Sequence, residues 1–178
     1  MLGGPGAIEG NSMRTTSVSE PTSSVNPLDR IEEVITIKDW VFDRRNDEEM
    51  AVEAPGTWCD FGLFFAWSEE LDALHFSCAL DMRVQPTVLN NIYELIAKLN
   101  ERLWIGHFAI WVDEGIPMFR HTIHCHGGRI DAGHIDELVD LARSECERYY
   151  PAFQFVIWGG RTPDDAISCA LLDTMGEA

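Results

Sequence analysis

The sequence predicts an α+β fold, an antiparallel sheet of five to six strands with helices packed on it. Three observations lead there. Several segments alternate apolar and polar residues with a period of two, the spacing of strands that bury one face. Others repeat apolar residues every three or four positions, as helix faces do. The segments follow one another as helix, three or four strands, helix, two strands, then two helices, and the turns between neighbouring strands are too short for parallel crossovers.

Each element has its own signal. Residues 1 to about 25 are Gly, Ser, Thr, Pro and Glu with almost no large apolar side chain. Such a segment cannot offset its ordering entropy, so a disordered tail is expected ahead of a single domain over 26–178. Asn26-Pro27 starts the first helix, with Asn as N-cap and Pro at the first helical position. Leu28, Ile31, Val34 and Ile35 form its apolar face, and it ends near Lys38. Trp40 to Arg45 reads as extended, Asn46-Asp47 as a turn, Glu49 to Ala54 as a returning strand, and Pro55-Gly56 as a second turn.

Trp58 to Trp67 is strongly aromatic and reads as a central strand. In the next strand Leu74, Phe76, Cys78, Leu80 and Met82 alternate with His75, Ser77, Ala79 and Asp81. That pattern buries one face. From Pro86 a helix carries Leu89, Ile92, Ile96, Leu99 and Leu103 on one stripe and turns at Gly106 directly into a hairpin. Phe108, Ile110 and Val112 alternate there with His107, Ala109 and Trp111, Asp113-Glu114-Gly115 is turn chemistry, and Ile116 to Cys125 runs back. Ile135, Leu138, Val139, Ala142, Cys146 and Tyr149 keep one helical face for four turns, and a kink or restart is expected at Pro151. Phe153 to Trp158 is apolar nearly all round, which implies burial on several sides; Gly159-Gly160 stops it, and Thr162-Pro163-Asp164-Asp165 caps a last helix.

The chain's 178 residues suffice for one domain with a sizeable core. No apolar run approaches the roughly 20 residues that span a bilayer, and no apolar segment follows a basic start, so the cytoplasm is the expected compartment. Thirty carboxylates against 13 Lys and Arg leave a net charge of −17. That charge repels phosphate backbones, so nucleic acid and anionic membranes are not expected partners, whereas a polypeptide is. Five cysteines with no C-x-x-C spacing read as small buried hydrophobes rather than a disulfide framework.

His121, His124, Cys125 and His126 form the one ligand-like run in the sequence. On a strand His124 and His126 share a face while His121 and Cys125 point the other way, which falls short of the four convergent groups of a zinc site. A solvated strand end is favoured; a metal site at His124 and His126, or a small enzyme built on His121, His124 and His126, is the alternative. No catalytic residue and no cofactor is expected. The acidic pairs sit at caps, turns and helix surfaces, and there is no phosphate-binding glycine loop. Most of the six tryptophans are expected in the core, Trp104 above all, where the helix meets the sheet. Phe64, Tyr93 and Trp111 do not fit on one buried face and are the candidates for a partner or dimer surface.

Asn100 through Phe108, with Trp104, Gly106 and His107 inside that run, followed by Phe119-Arg120-His121, resembles the signature of the bacterial YbjN-domain family. Trp58-Cys59-Asp60, the run around Cys78, Pro151-Ala152-Phe153-Gln154-Phe155 through Gly159-Gly160, and the closing Gly176-Glu177-Ala178 match it too. The resemblance implies a fold similar to type III secretion chaperones, often dimeric, in proteins described as sensory transduction regulators. It implies no activity. Together with the acidity it leads to the expectation of a non-enzymatic, homodimeric protein that holds a polypeptide.

Overall fold

The computed structural model describes residues 26–175, and the expected tail and the Gly176-Glu177-Ala178 ending lie outside them. A six-stranded antiparallel sheet is backed on one face by helices. The strands are β1 (Val41–Arg44), β2 (Glu49–Ala54), β3 (Phe61–Ser68), β4 (Ala73–Ala79), β5 (His107–Trp111) and β6 (Ile116–His124), arranged β1-β2-β3-β4-β6-β5. The helices are α1 (Pro27–Ile37), α2 (Leu89–Asn100, entered through a short 3-10 turn at Pro86–Val88), α3 (Ala132–Ile157) and α4 (Pro163–Met175). The element order is the expected one.

Local chemistry sets the boundaries. Asn26 caps α1 by accepting from the Leu28 N–H at 2.9 Å, and its amide donates to the Asp47 carbonyl at 2.6 Å, which ties the cap to the β1–β2 turn. Arg44 pairs with Asp29 at 2.6 Å and Glu32 at 3.1 Å, fixing β1 to α1. Asp72, in the left-handed region at φ 47°, accepts from Gly127 N at 2.9 Å and Gly128 N at 3.0 Å, so the β3–β4 turn holds the loop that follows β6. Those two backbone donors hold its carboxyl below the usual range.

α1, α2 and α3 meet the sheet and α4 lies against α2 and α3. The core between them is one cluster. Phe108 sits at its centre, edge-on to Phe119 and Tyr149 (centroids 5.9 Å for both) and 5.5 Å from Phe153. Gly106 takes φ +69°, and a Cβ there would lie 2.1 Å from the Phe119 ring; both the turn and the close approach require glycine.

Several expectations are corrected. Trp104 is 100% exposed. α2 ends at Asn100, three residues before the anticipated stop, and residues 101–106 form turns and bends that carry Trp104 outward. Phe108 takes the junction instead. Trp58, Trp111 and Trp158 are also exposed over about half of their surface or more, and of the six tryptophans only Trp67 is buried. Trp58 precedes β3 rather than lying in it and stacks on Tyr150 at 6.0 Å. α3 does not restart at Pro151 but continues through it to Ile157. Tyr149, Tyr150, Pro151, Ala152 and Phe153 are all buried, and their packing offsets the lost backbone bond. β4 ends at Ala79, although Leu80 and Met82 stay in the core.

Candidate functional site

The second face of the sheet is the candidate site. Register assigns its residues. Phe64 on β3 stands opposite Ala51 on β2 and Ser77 on β4; Ser77 stands opposite Arg120 on β6, and Arg120 opposite His107 on β5. Their immediate neighbours along each strand, such as Leu63, Phe65, Phe76, Cys78 and Phe119, point into the helix-backed core. Among the described residues no helix covers the Phe64 side. An open hollow of about 1320 Å³ runs across it from Val41 on β1 to Trp111 on β5. Small residues (Ala51, Gly62, Ala66, Ser77, Ala79) line its floor, and Phe64 and Trp111 rise from it at 41% and 54% exposure.

A polar network lies at the middle. The Arg120 guanidinium donates to His75 Nε2 from Nε at 3.0 Å and from Nη2 at 2.7 Å. An arginine cannot accept, so Nε2 carries the lone pair, and Nδ1–H donates to Thr122 Oγ1 at 2.8 Å. Ser77 Oγ lies 3.4 Å from the same Nε2. Burial, then the charge of Arg120, hold the His75 pKa below its usual value, which fits the neutral ring this geometry needs. The lone pair is thus occupied, and His75 is not poised to take a proton from Ser77. Arg120 has no carboxylate within ion-pair distance among the described residues, in a chain that carries 30 of them.

The expected site residues divide. Phe64, Trp111, His107 and Arg120 share the open face. Tyr93 does not; it lies on α2, which packs on the helix side. Asn100, Gly106 and Phe108 are architectural. The Asn100 side chain accepts from Phe108 N at 2.7 Å and donates to Phe108 O at 3.1 Å, clamping β5 to the end of α2. Cys78 faces Cys146 in the core with sulfurs 3.6 Å apart, a proximity that spacing along the chain does not show. Pro151 is buried in α3, and Gly159 follows its end.

The histidine run is dispersed. His121 faces the core side opposite Phe76, His124 ends β6 opposite Ala73, Cys125 is buried, and His126 bridges to Arg129. Among the described residues no three His, Cys, Asp or Glu side chains are grouped to hold a metal ion.

Sequence reading missed His75, Ser77 and Thr122. The alternation in β4 does place His75 and Ser77 on its polar face, but Arg120 and Thr122 come from a strand more than 40 residues later.

Fold and site together define a single-layer antiparallel sheet, helix-backed on one side and open on the other. The chain belongs to the YbjN family, described as "Putative bacterial sensory transduction regulator", which it matches over residues 27–155, well over half its length. No curated protein matches it. Among the described residues no helix is long and apolar enough to cross a membrane.

Proposed function

We propose that this chain is a non-enzymatic regulatory protein that works by contact with another polypeptide across the open face of its sheet. The carrying observation is that face itself, where Phe64 and Trp111 stand half exposed above a floor of small residues, with an arginine between them that lacks a carboxylate. Aromatic side chains and arginine are the residue types that dominate protein interfaces. The regulatory role rests on family membership. The absence of catalysis is supported by the occupied lone pair of His75.

The test is site-specific photo-cross-linking in the host cell. A benzophenone side chain at Phe64 or Trp111 is expected to give a covalent adduct with a polypeptide, while the same group at exposed Leu172 on α4 gives none. Equal labelling at all three positions, or none at Phe64 and Trp111, would refute the proposal.

A further inference from the structure

Three of the five cysteines lie together where β4 meets α3. Cys78 points from β4 into the core, and Cys146 meets it there from α3. Neither has any exposed surface. Their sulfurs are 3.6 Å apart, with the Cys146 thiol directed at the Cys78 sulfur and, at 3.9 Å, the Cys78 carbonyl. A disulfide holds its sulfurs roughly 2.05 Å apart, so a small side-chain shift brings this pair to bonding distance. Cys59 is different. It is half-buried and lines the open hollow beside Trp58 and Tyr150. It is close enough for its charge to act on both Cys78 and Cys146, so the cluster reaches from the hollow into the core. Cys125 is as deeply buried as the pair but stands elsewhere, its thiol 3.9 Å from the Ile123 carbonyl.

We propose that Cys78 and Cys146 are a reversible disulfide pair, and that Cys59 is the thiol through which a low-molecular-weight disulfide reaches them.

The chemistry is thiol–disulfide exchange, with that small disulfide as the oxidant. The Cys59 thiolate attacks one of its sulfurs, breaks its S–S bond and releases one small thiol. The Cys78 thiolate then attacks the Cys59 sulfur and releases the second. Finally the Cys146 thiolate attacks the Cys78 sulfur and returns the Cys59 thiolate. The pair has lost two protons and two electrons, and the small disulfide has taken them up to leave as two thiols.

The order follows from the surroundings of each sulfur. Burial pushes the Cys146 thiol well up, which rules it out as the point of entry. Burial raises Cys59 too, but hydrogen bonds from the Asp81 backbone and the Tyr150 hydroxyl oppose it. Those partners also make Cys59 the better leaving group in the last step. The bond therefore comes to rest between the two sulfurs that water does not reach. It ties β4, whose other face carries His75 and Ser77, to α3 across 68 positions of sequence. A cross-link over so long a loop narrows the unfolded ensemble, so the oxidised chain is the harder one to unfold.

The experiment incubates the full-length chain with glutathione disulfide at neutral pH, quenches with acid and maps the thiols by peptide mass spectrometry. A cross-linked Cys78–Cys146 peptide is expected, lighter by two hydrogen atoms, and dithiothreitol should restore both thiols. The oxidised chain should unfold at a higher urea concentration. The bond should form at least about tenfold faster than Cys125 takes up glutathione, because Cys125 is equally buried and has no such route. In Cys59→Ser the same bond should form at least about tenfold more slowly. No bond between Cys78 and Cys146, a bond that appears only as fast as Cys125 reacts, or an oxidised chain that unfolds at lower urea would each overturn the pair. An unchanged rate in Cys59→Ser would overturn the entry role.

Discussion

The two faces of one sheet put aromatic side chains of similar size to opposite uses. On the helix side Phe65, Phe76, Phe108 and Phe119 are all but inaccessible. On the other, Phe64 and Trp111 keep half their surface in water, one residue along in β3 from Phe65 and three along in β5 from Phe108. The same strands supply both sets by simple alternation. The difference lies in the neighbours. The helix side meets α1, α2 and α3 and is complete within one chain. The open side sets its aromatics among alanine, glycine and serine. A buried aromatic reports what the fold requires, whereas an exposed one above a floor of small residues reports what the chain meets.

The sharpest contrast pairs one residue from each face. Phe108→Ala should cost about 3–5 kcal/mol in denaturant melts, because it removes three ring contacts at the core centre. Trp111→Ala should cost about 1 kcal/mol or less in the same melts, since its ring is half in solvent. Equal losses would erase the distinction between the faces.

Asn100→Ala should cost about 1–3 kcal/mol, since both backbone groups of Phe108 lose a partner in a half-buried setting. Asn100→Asp should recover only part of that, because a carboxylate still accepts from Phe108 N but has nothing to donate to Phe108 O. Hydrogen exchange at the Phe108 amide reports the same clamp directly.

The pH response involves one histidine on each face. His75 on the open face and His121 on the helix side both have pKa values held below the usual 6.5, chiefly by burial. The unfolded chain therefore binds more protons at these sites. Their contribution to stability is fully present above pH 6.5 and declines as pH falls through and below it. Thermal midpoints should drop between about pH 7 and pH 5, and His75→Gln should shallow that slope while keeping an acceptor for Arg120. A slope unchanged in both His75→Gln and His121→Gln would assign the acid sensitivity to other groups.

The smallest effect is expected at Trp104. Trp104→Ala should change stability by less than about 0.5 kcal/mol, since its side chain lies wholly in solvent. Intrinsic fluorescence of wild type minus variant should show a fully water-exposed indole.

Much of the architecture was legible in the sequence, for identifiable reasons. Asn26-Pro27 and Thr162-Pro163 start helices by local hydrogen bonding alone, and α1 and α4 begin there. β2 runs Glu49–Ala54, as read, because turn residues bound it on both sides. The α2-to-hairpin junction was legible in outline but not in detail. Leu103 and Trp104 continue an apolar run, yet the clamp of Asn100 on Phe108, eight positions away, ends the helix early and selects Phe108 for the core. At Pro151 burial on both sides carries the helix past a residue where a restart was one of the two local expectations.

The candidate site was half legible. Phe64 and Trp111 stood out as surplus to one buried face, while Tyr93 was surplus for a different reason, lying on the outer side of α2. The histidine run drew attention because its members adjoin in sequence, and the strand that carries most of it turns them apart. His75, Ser77, Thr122 and Arg120 drew less, because none adjoins another.

The sequence by itself determined the order and type of the elements, the turns between them and the apolar face each helix offers. These depend on residues within one or two turns of each other, so periodicity and capping record them. Only the tertiary structure decided that β4 pairs with β6, which side of the sheet receives the helices, and hence which aromatic residues, which arginine and which carboxylates remain on the open face. Those outcomes depend on strand pairing and packing between segments tens of residues apart, where no local spacing carries the information.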